Sequence, residues 1–403
     1  MNDVTVAIVG TGPIALATAL GLAQAGISVL VVDHGHEETM PFPVVHDWSV
    51  LPGLERLGVL EDAIGSGLIE STWGIDVLGT AERIDLDLQV LENVTRFPFN
   101  LHIKPTVLCA LLRDRLAQHP TAQIEQGSQV RSLTQDSACA MLVLDGPDGR
   151  RQLRADWVVG ADGTRSVVRR ALGVGFPGFT WEERCVVSLI DANLDEQGYA
   201  PFTFQVDDRY GAVLQKVAPR TWIHIHAEPL TLPTEAISDR LPDVVRAAVR
   251  DTPIRLLDWR AERMHQRSAD RYRVGRVLLA GEAAHVANRM IGHSPIASFF
   301  DAYRLIEALT AVVHREIDDS VLDAYATDRR RVFVDHASPV SASRKLLVGT
   351  IGDQQRLEAE LEHFRRAAAD PDELREMLLF NLELAGESPV AASLQVSDSE
   401  VAE

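Results

Sequence analysis

Three short clusters in this 403-residue sequence place glycine beside an acid or a small residue, a combination that lets a backbone approach a phosphate or a polyol. The first is Gly10-Thr-Gly12-Pro13-Ile-Ala15, followed by Asp33, 23 residues after Gly10. Gly10 allows a tight turn, Gly12 lets a pyrophosphate approach the backbone, and small Ala15 lets helix and strand pack closely. The helix that starts there offers unpaired N–H groups and a partial positive charge to the phosphates. Asp33 is placed to accept hydrogen bonds from a ribose diol, and an acid there argues against a 2′-phosphate. This dinucleotide fingerprint does not by itself separate FAD from NAD. The second cluster is Gly160-Ala-Asp162-Gly163-Thr-Arg165-Ser166, and the third is Gly281-Glu282-Ala-Ala-His285. A carboxylate such as Glu282 suits a polyol, because hydroxyls donate and a carboxylate only accepts.

The elements that must position these clusters can be read from hydrophobic periodicity. Val4–Val9 reads as a buried strand, the Ala/Leu-rich run closed by Gly26 as a helix, and Ile27–Val32 as a second strand ending at Asp33. Trp48–Ile64 reads as one helix and Thr106–Gln118 as another. Strand pairs are expected at Trp73–Val77 with Ile84–Leu88 and at Val130–Leu133 with Ala140–Leu144. Leu153–Val159 delivers the second cluster and Arg276–Ala280 the third. Residues 176–263 alternate strands with Pro-rich turns, the mark of an antiparallel sheet, interrupted by a helix at Leu241–Val249. In Trp222-Ile-His224-Ile-His226 the period-2 alternation puts Trp222, His224 and His226 on one face. If that face lines a cavity, His224 or His226 could deprotonate a phenol; if it faces solvent, they are ordinary surface groups. His46, His293 and Tyr210 are further candidates. Ser294-Pro295 reads as an N-cap and first-turn pair that starts a helix running to about Val313, and 353–368 and 371–385 read as helices.

Composition narrows the function classes. Hydrophobic content of 46% and charged content of 24% are ordinary for a globular protein, and the length predicts two lobes. The net charge of −19 disfavours nucleic acid or an anionic membrane surface as partner. Cys109, Cys139 and Cys185 are too few and too scattered for a disulfide framework or a metal site, so no metal is expected and a reducing cytosol is. A first strand at Val4 leaves no room for a signal peptide, and no apolar run approaches the ~20 residues of a membrane span. The expectation is a cytoplasmic monomer or homodimer acting on a small molecule, with no nucleic acid and no integral membrane segment.

With the three clusters in order, the chain resembles the class A flavoprotein monooxygenases, the p-hydroxybenzoate hydroxylase-like family. The resemblance rests on Gly10-x-Gly12-x-x-Ala15, on Asp162-Gly163-x-x-Ser166-x-x-Arg169, and on Gly275-Arg-Val-Leu-Leu-Ala-Gly281-Glu282-Ala-Ala-His285. Leu322-Asp-Ala-Tyr325 with Arg329 and Arg330 also looks like the family's later helix. It implies an α/β fold: a Rossmann-like FAD-binding domain of the glutathione reductase/p-hydroxybenzoate hydroxylase type, a β-sheet substrate domain and C-terminal helices. The implied boundaries are 1–70, 100–175 and 264–345 for the FAD domain, 71–99 and 176–263 for the sheet domain, and 346–403 for the helical end. It further implies that NADH or NADPH reduces FAD, and that a flavin C4a-hydroperoxide passes one oxygen to an aromatic or polyketide-like molecule. The FAD contacts it implies are Gly10, Gly12, Pro13, Ala15, Asp33, Lys104, Asp162, Gly163, Gly281, Glu282, Gly292, His293 and Ser294, with His285 structural.

The sequence also departs from that family. Glu282 replaces the usual Asp, Lys104 stands where Gln is common, and 286–296 lacks the family's prolines, most of its glycines and its Asn. The expectation is therefore an intact adenosine end and a flavin-ring end held loosely. Two alternatives stay open: a same-fold cyclase or isomerase without oxygen chemistry, and a binding protein with structural FAD.

Overall fold

The computed structural model describes residues 2–33, 42–207, 209–250, 252–291, 293–349 and 354–392. The β-branched run at the start forms the strand Asn2–Val9, parallel to Val29–Asp33 on one side and to Gly149–Gly160 on the other. Ala122–Gln126 and Val277–Leu279 extend this parallel sheet at its two ends. Strands buried on both faces must be apolar throughout, and Val6, Ala7 and Ile8 are fully buried. The helix Pro13–Gln24 is apolar all round for the same reason: it packs against helices Pro105–Leu116 and Ser294–Val313, and every residue from Ala15 to Ala23 is buried. Gln129–Gln135 and Ala140–Gly146 form an antiparallel flap on Gly149–Gly160.

A second, eight-stranded sheet runs His285–Val286, Arg255–Ser268, Gly178–Asp191, Thr221–Pro229, Ala212–Ala218, Phe202–Val206, Thr72–Val77, Glu82–Asp87 in spatial order. Thr72–Val77 lies parallel to Phe202–Val206 despite the distance between them in sequence. One face of this sheet carries Ile75, Phe204, Val213 and Ile223, packed with Trp48, Met290, Ile291 and residues of the C-terminal helices. The other carries Val186, Ile190, Leu214 and Trp222, covered by Ile237, Leu241 and Val245 of the helix Ile237–Ala248. A small sheet of Val44–His46, Asn100–Ile103 and Leu68–Glu70 bridges the two large ones.

Three local features differ from the sequence expectation. Trp48–Ile64 is not one helix: a 3-10 turn at Trp48–Val50, then helices Leu51–Arg56 and Leu60–Ser66, separated where Gly58 takes φ +73°. The helix beginning at Ser294 has His293, not Ser294, as its N-cap, with no side-chain cap bond. Past a π-helical stretch, Phe333–Ala337, the chain enters a helix Ser338–Gly349 that packs on the second sheet.

Candidate cofactor and substrate site

The two glycines of the first cluster are needed for different reasons. Gly10 has φ +118°, and a Cβ there would stand 2.4 Å from the Ala161 carbonyl oxygen. Its side is therefore filled by the turn that leads to Asp162. Gly12 has ordinary extended angles, and nothing lies within 4 Å of where its Cβ would be. It is the N-cap of Pro13–Gln24, Pro13 opens the helix, and no side chain caps the first turn. Open space beside uncapped amides is a cradle that fits a pyrophosphate. Ala15 is fully buried, and Asp33 closes this end, its Oδ1 accepting from Thr11 Oγ1 at 3.2 Å and its Oδ2 lying 3.6 Å from Arg113 Nη2.

The second and third clusters are stitched to each other. Asp162 spends its carboxylate locally: Oδ2 accepts from the Val167 and Val168 amides (2.6 and 3.2 Å), and Oδ1 from Ser166 Oγ (2.5 Å). Burial raises the Asp162 pKa and these bonds oppose the rise. Its carboxylate thus caps the short helix Val167–Ala171, while Gly163 supplies the positive φ (+74°) the turn requires. Arg169 then reaches across, donating to the carbonyls of Thr164 and Ala283 at 2.7 Å each and stacking on Phe176.

On the far side of that staple, the fully buried Asp301 accepts from the Gly281 amide (2.9 Å) and lies 2.7 Å from His285 Nε2 through one oxygen, and accepts from Arg329 Nε (2.9 Å) through the other. Burial alone would raise the Asp301 pKa, but His285 and Arg329 outweigh it and hold the carboxyl below the usual range. His285 is thus structural, stacked on Phe333 at 4.2 Å. Glu282 stands at the edge, 3.5 Å from Arg289 Nη2, and Arg289 in turn pairs with Glu262 of the second sheet at 3.1 Å. Lys104 is exposed at the N-cap of Pro105–Leu116, and Gly292 lies outside the described residues.

The opposite end of the site is marked by buried polar atoms without partners among the described residues: Trp48 Nε1, His102 Nε2, His293 Nδ1, Ser294 Oγ and Arg344 Nη1. Such atoms carry a desolvation penalty of about 1–3 kcal/mol each unless a ligand meets them. Burial holds three histidines there neutral at pH 7: His46 and His102 are lowered to about 4, and His293 to about 3 by burial and by nearby Arg344. His102 Nδ1 lies 3.3 Å from both Gln215 Nε2 and the Lys216 carbonyl oxygen. The loop before Ser294 is tied to neighbouring elements through Asn288. Asn288 Nδ2 donates to Ser341 O (2.8 Å) and Oγ (3.0 Å), Asn288 Oδ1 accepts from the Ile291 amide, and Gln266 joins the Asn288 amide to Ser338. Helix Ser338–Gly349, which supplies both serines, is not among the elements expected from the sequence, although Ser338-Pro339 repeats the Ser-Pro start seen at 294.

His224 and His226 are not brought to this place. Cross-strand pairing sets His224 beside Ser188 and Leu214, and His226 beside Val186 and Ala212. Neighbours across strands share a face. That face is the one covered by Ile237–Ala248, whereas Ile223 and Ile225 point towards Met290 and Ile291. The pair is neither solvent-exposed nor beside those unpartnered atoms; it is buried beneath a helix.

The chain matches the family model described as FAD binding domain over residues 3–337. It is 36% identical over 338 residues to 6-hydroxy-3-succinoylpyridine 3-monooxygenase of Pseudomonas putida, spanning 83% of this chain and 86% of that one. It is 30% identical over 400 residues to para-nitrophenol 4-monooxygenase of a Pseudomonas species, spanning 97% and 98%. Among solved structures, p-nitrophenol 4-monooxygenase of Pseudomonas putida superposes with a TM-score of 0.90 at 30% identity, covering 96% of this chain and all of that one.

Proposed function

This chain belongs to the FAD-binding-domain family of flavin-dependent monooxygenases, and from that premise we propose that it hydroxylates a phenol-type aromatic ring held between the two large sheets. The chemistry that bound FAD would supply, once reduced by NADH or NADPH, is the activation of molecular oxygen. The protein's own residues bind and orient. Gly12 and the uncapped start of Pro13–Gln24 take the pyrophosphate, Asp33 takes the adenosine ribose, and Glu282 takes the ribityl hydroxyls. His293 and Ser294 would set the start of Ser294–Val313, whose first amides carry partial positive charge, towards the flavin. His102 Nε2 meets the oxygen of the phenol, with Gln215 fixing its ring. Asp162 and Gly163 act by shaping the turn behind the cofactor.

Strands 71–99 and 176–263 form the substrate unit of this reading, with 1–70, 100–175 and 264–345 holding the cofactor and 346–403 closing the far side. A cytoplasmic enzyme agrees with the unpaired Cys109, Cys139 and Cys185, and a monomer or homodimer is the assembly proposed.

The observation that carries the reading is the set of buried polar atoms without partners among the described residues at Trp48, His102, His293, Ser294 and Arg344. The test is to load the protein with FAD and follow NAD(P)H oxidation, oxygen uptake and product with 4-nitrophenol and 6-hydroxy-3-succinoylpyridine. Substrate-stimulated NAD(P)H oxidation, with one atom of labelled dioxygen in the product, is expected. Conversion of a substrate by flavin-free protein would overturn the reading in favour of a cyclase or isomerase.

A further inference from the structure

The stretch matched to the family ends at residue 337, and the helix Ser338–Gly349 starts at the next residue. One face of that helix is turned to the site. Ser338 accepts from Gln266 Nε2, and Ser341, one turn on, accepts from Asn288 Nδ2 and donates to the Ile291 carbonyl. Arg344 is one turn further, on the same face. Next to it Lys345 is satisfied, its Nζ 2.7 Å from Glu183 and over the Trp181 ring. Arg344 is not. Its guanidinium lies on the Phe364 ring, 4.5 Å from the centroid, and close enough to the His293 ring to depress that ring's basicity. Glu360, a turn before Phe364, acts on it through space, yet no ion pair joins them among the described residues, and Nη1 is buried with no acceptor. Phe364, itself fully buried, packs edge-to-face on Trp73, and Trp73 on Phe204, within the core on the inner face of the second sheet.

A buried guanidinium donor without an acceptor is costly, and its planar fork matches a two-oxygen anion better than any neutral group. We infer that Arg344 is a specificity residue that anchors the carboxylate of an aromatic acid substrate through its unpartnered Nη1. This rests on the aromatic-hydroxylase reading above and narrows its substrate class to rings bearing a carboxylate. The anchor comes from a helix just beyond the stretch that matches the FAD binding domain.

Calorimetric titration of the FAD-loaded protein with 6-hydroxy-3-succinoylpyridine and with its primary amide, equal in shape but uncharged, tests this. The wild type is expected to bind the acid at least about tenfold more tightly than the amide. Arg344→Met should weaken the acid about 30-fold and leave the amide within about twofold, and Arg344→Lys should lose part of the preference. Glu360→Gln, which removes a competing carboxylate, should tighten the acid several-fold. Equal affinity of acid and amide in the wild type, equal weakening of both by Arg344→Met, or weaker acid binding in Glu360→Gln would overturn the anchor and make Arg344 a structural partner of Glu360. If Arg344→Met does not fold, Arg344→Lys decides, since loss of the preference at constant charge needs the guanidinium fork. Calorimetry reads binding without turnover. An acid held through Arg344 but not hydroxylated would therefore refute the function while leaving the anchor standing.

Discussion

The dinucleotide end of the site is assembled from Gly10, Gly12, Ala15 and Asp33, four residues within one βαβ unit, whereas the end near His293 gathers Trp48, His102, His293, Ser294 and Arg344 from across most of the chain. At the first end the groups that would meet a ligand are backbone amides, and the residue types follow from what a turn can tolerate. At the second they are side chains whose polar atoms find no partner within the protein. A backbone cradle fixes its sequence tightly because no other residue fits the geometry. A side-chain pocket fixes only a sum of shape and charge, so its members can be recruited from unrelated elements and exchanged.

Breaking the first end should give the largest effect. Gly12→Val adds a side chain where nothing lies within 4 Å, so the apoprotein should melt within about 2 °C of wild type while FAD affinity falls at least about 100-fold. Gly10→Ala, at φ +118° and against the Ala161 carbonyl, should instead cost about 3 kcal/mol of fold stability before any cofactor is added. Apoprotein melting curves with FAD titrations separate the two. Equal behaviour of the two variants would refute the assignment of one glycine to the turn and the other to the cradle.

The same contrast explains what could be read from the sequence. The βαβ start, the strand leading into Asp162 and the helix from Ser294 were all legible, because periodicity and glycine placement are local signals. The buried Asp301 hub was hidden, since its bonds to Gly281, His285 and Arg329 join segments that only the fold brings together. The face of Trp222-Ile-His224-Ile-His226 was legible as a face, but which layer covered it was not. That depended on Ile237–Ala248 folding over the outer side of the sheet. The helix from Ser338 left a signal in Ser338-Pro339, but nothing local said that it would hold Asn288.

Acid should expose the second end. His46 and His102 titrate near 4 and His293 near 3 in the fold, against 6.5 unfolded. The unfolded chain therefore binds more protons between those values, so stability is full above about pH 6.5 and is lost as pH falls towards 4. Each such group contributes on the order of 1.4 kcal/mol per unit of separation. The buried His224 and His226 act with the same sign, while Asp47 and Asp162, raised by burial, act against it. A melting temperature lower by roughly 10 °C at pH 4.5 than at pH 7 is expected, and a flat profile would contradict neutral burial of these rings.

Asn288→Ala sharpens the comparison at smaller scale. It removes two donated bonds to Ser341 and one accepted from Ile291, and should cost about 1–3 kcal/mol of stability. Because the cradle at Gly12 is untouched, FAD affinity should fall by less than about tenfold, with the flavin fluorescence becoming less polarised as the ring end loosens. A loss as large as that of Gly12→Val would mean that the two ends are one cooperative unit.

The smallest effect is expected at the two histidines that share a face by strand alternation. The His224 and His226 rings lie 5.2 Å apart and tilted by 39° on the outer face, between Trp222 and a Glu228 that lies 2.6 Å from Arg240 of the covering helix. The alternate residues Ile223 and Ile225 face the site, so a path from either imidazole to a substrate would have to cross the sheet itself. His226→Gln keeps a polar side chain beside Glu228 and should change kcat/KM by less than about twofold, with a melting shift of a few degrees at most. His224→Phe replaces a buried ring whose Nε2 has no partner with an apolar ring of similar shape, and should leave stability unchanged or slightly raised. Steady-state kinetics and melting curves on both variants check this. A turnover rate lowered by two orders of magnitude or more, at unchanged melting temperature, would show that the outer face takes part in catalysis. The division of the sheet into a covered side and a working side would fail with it.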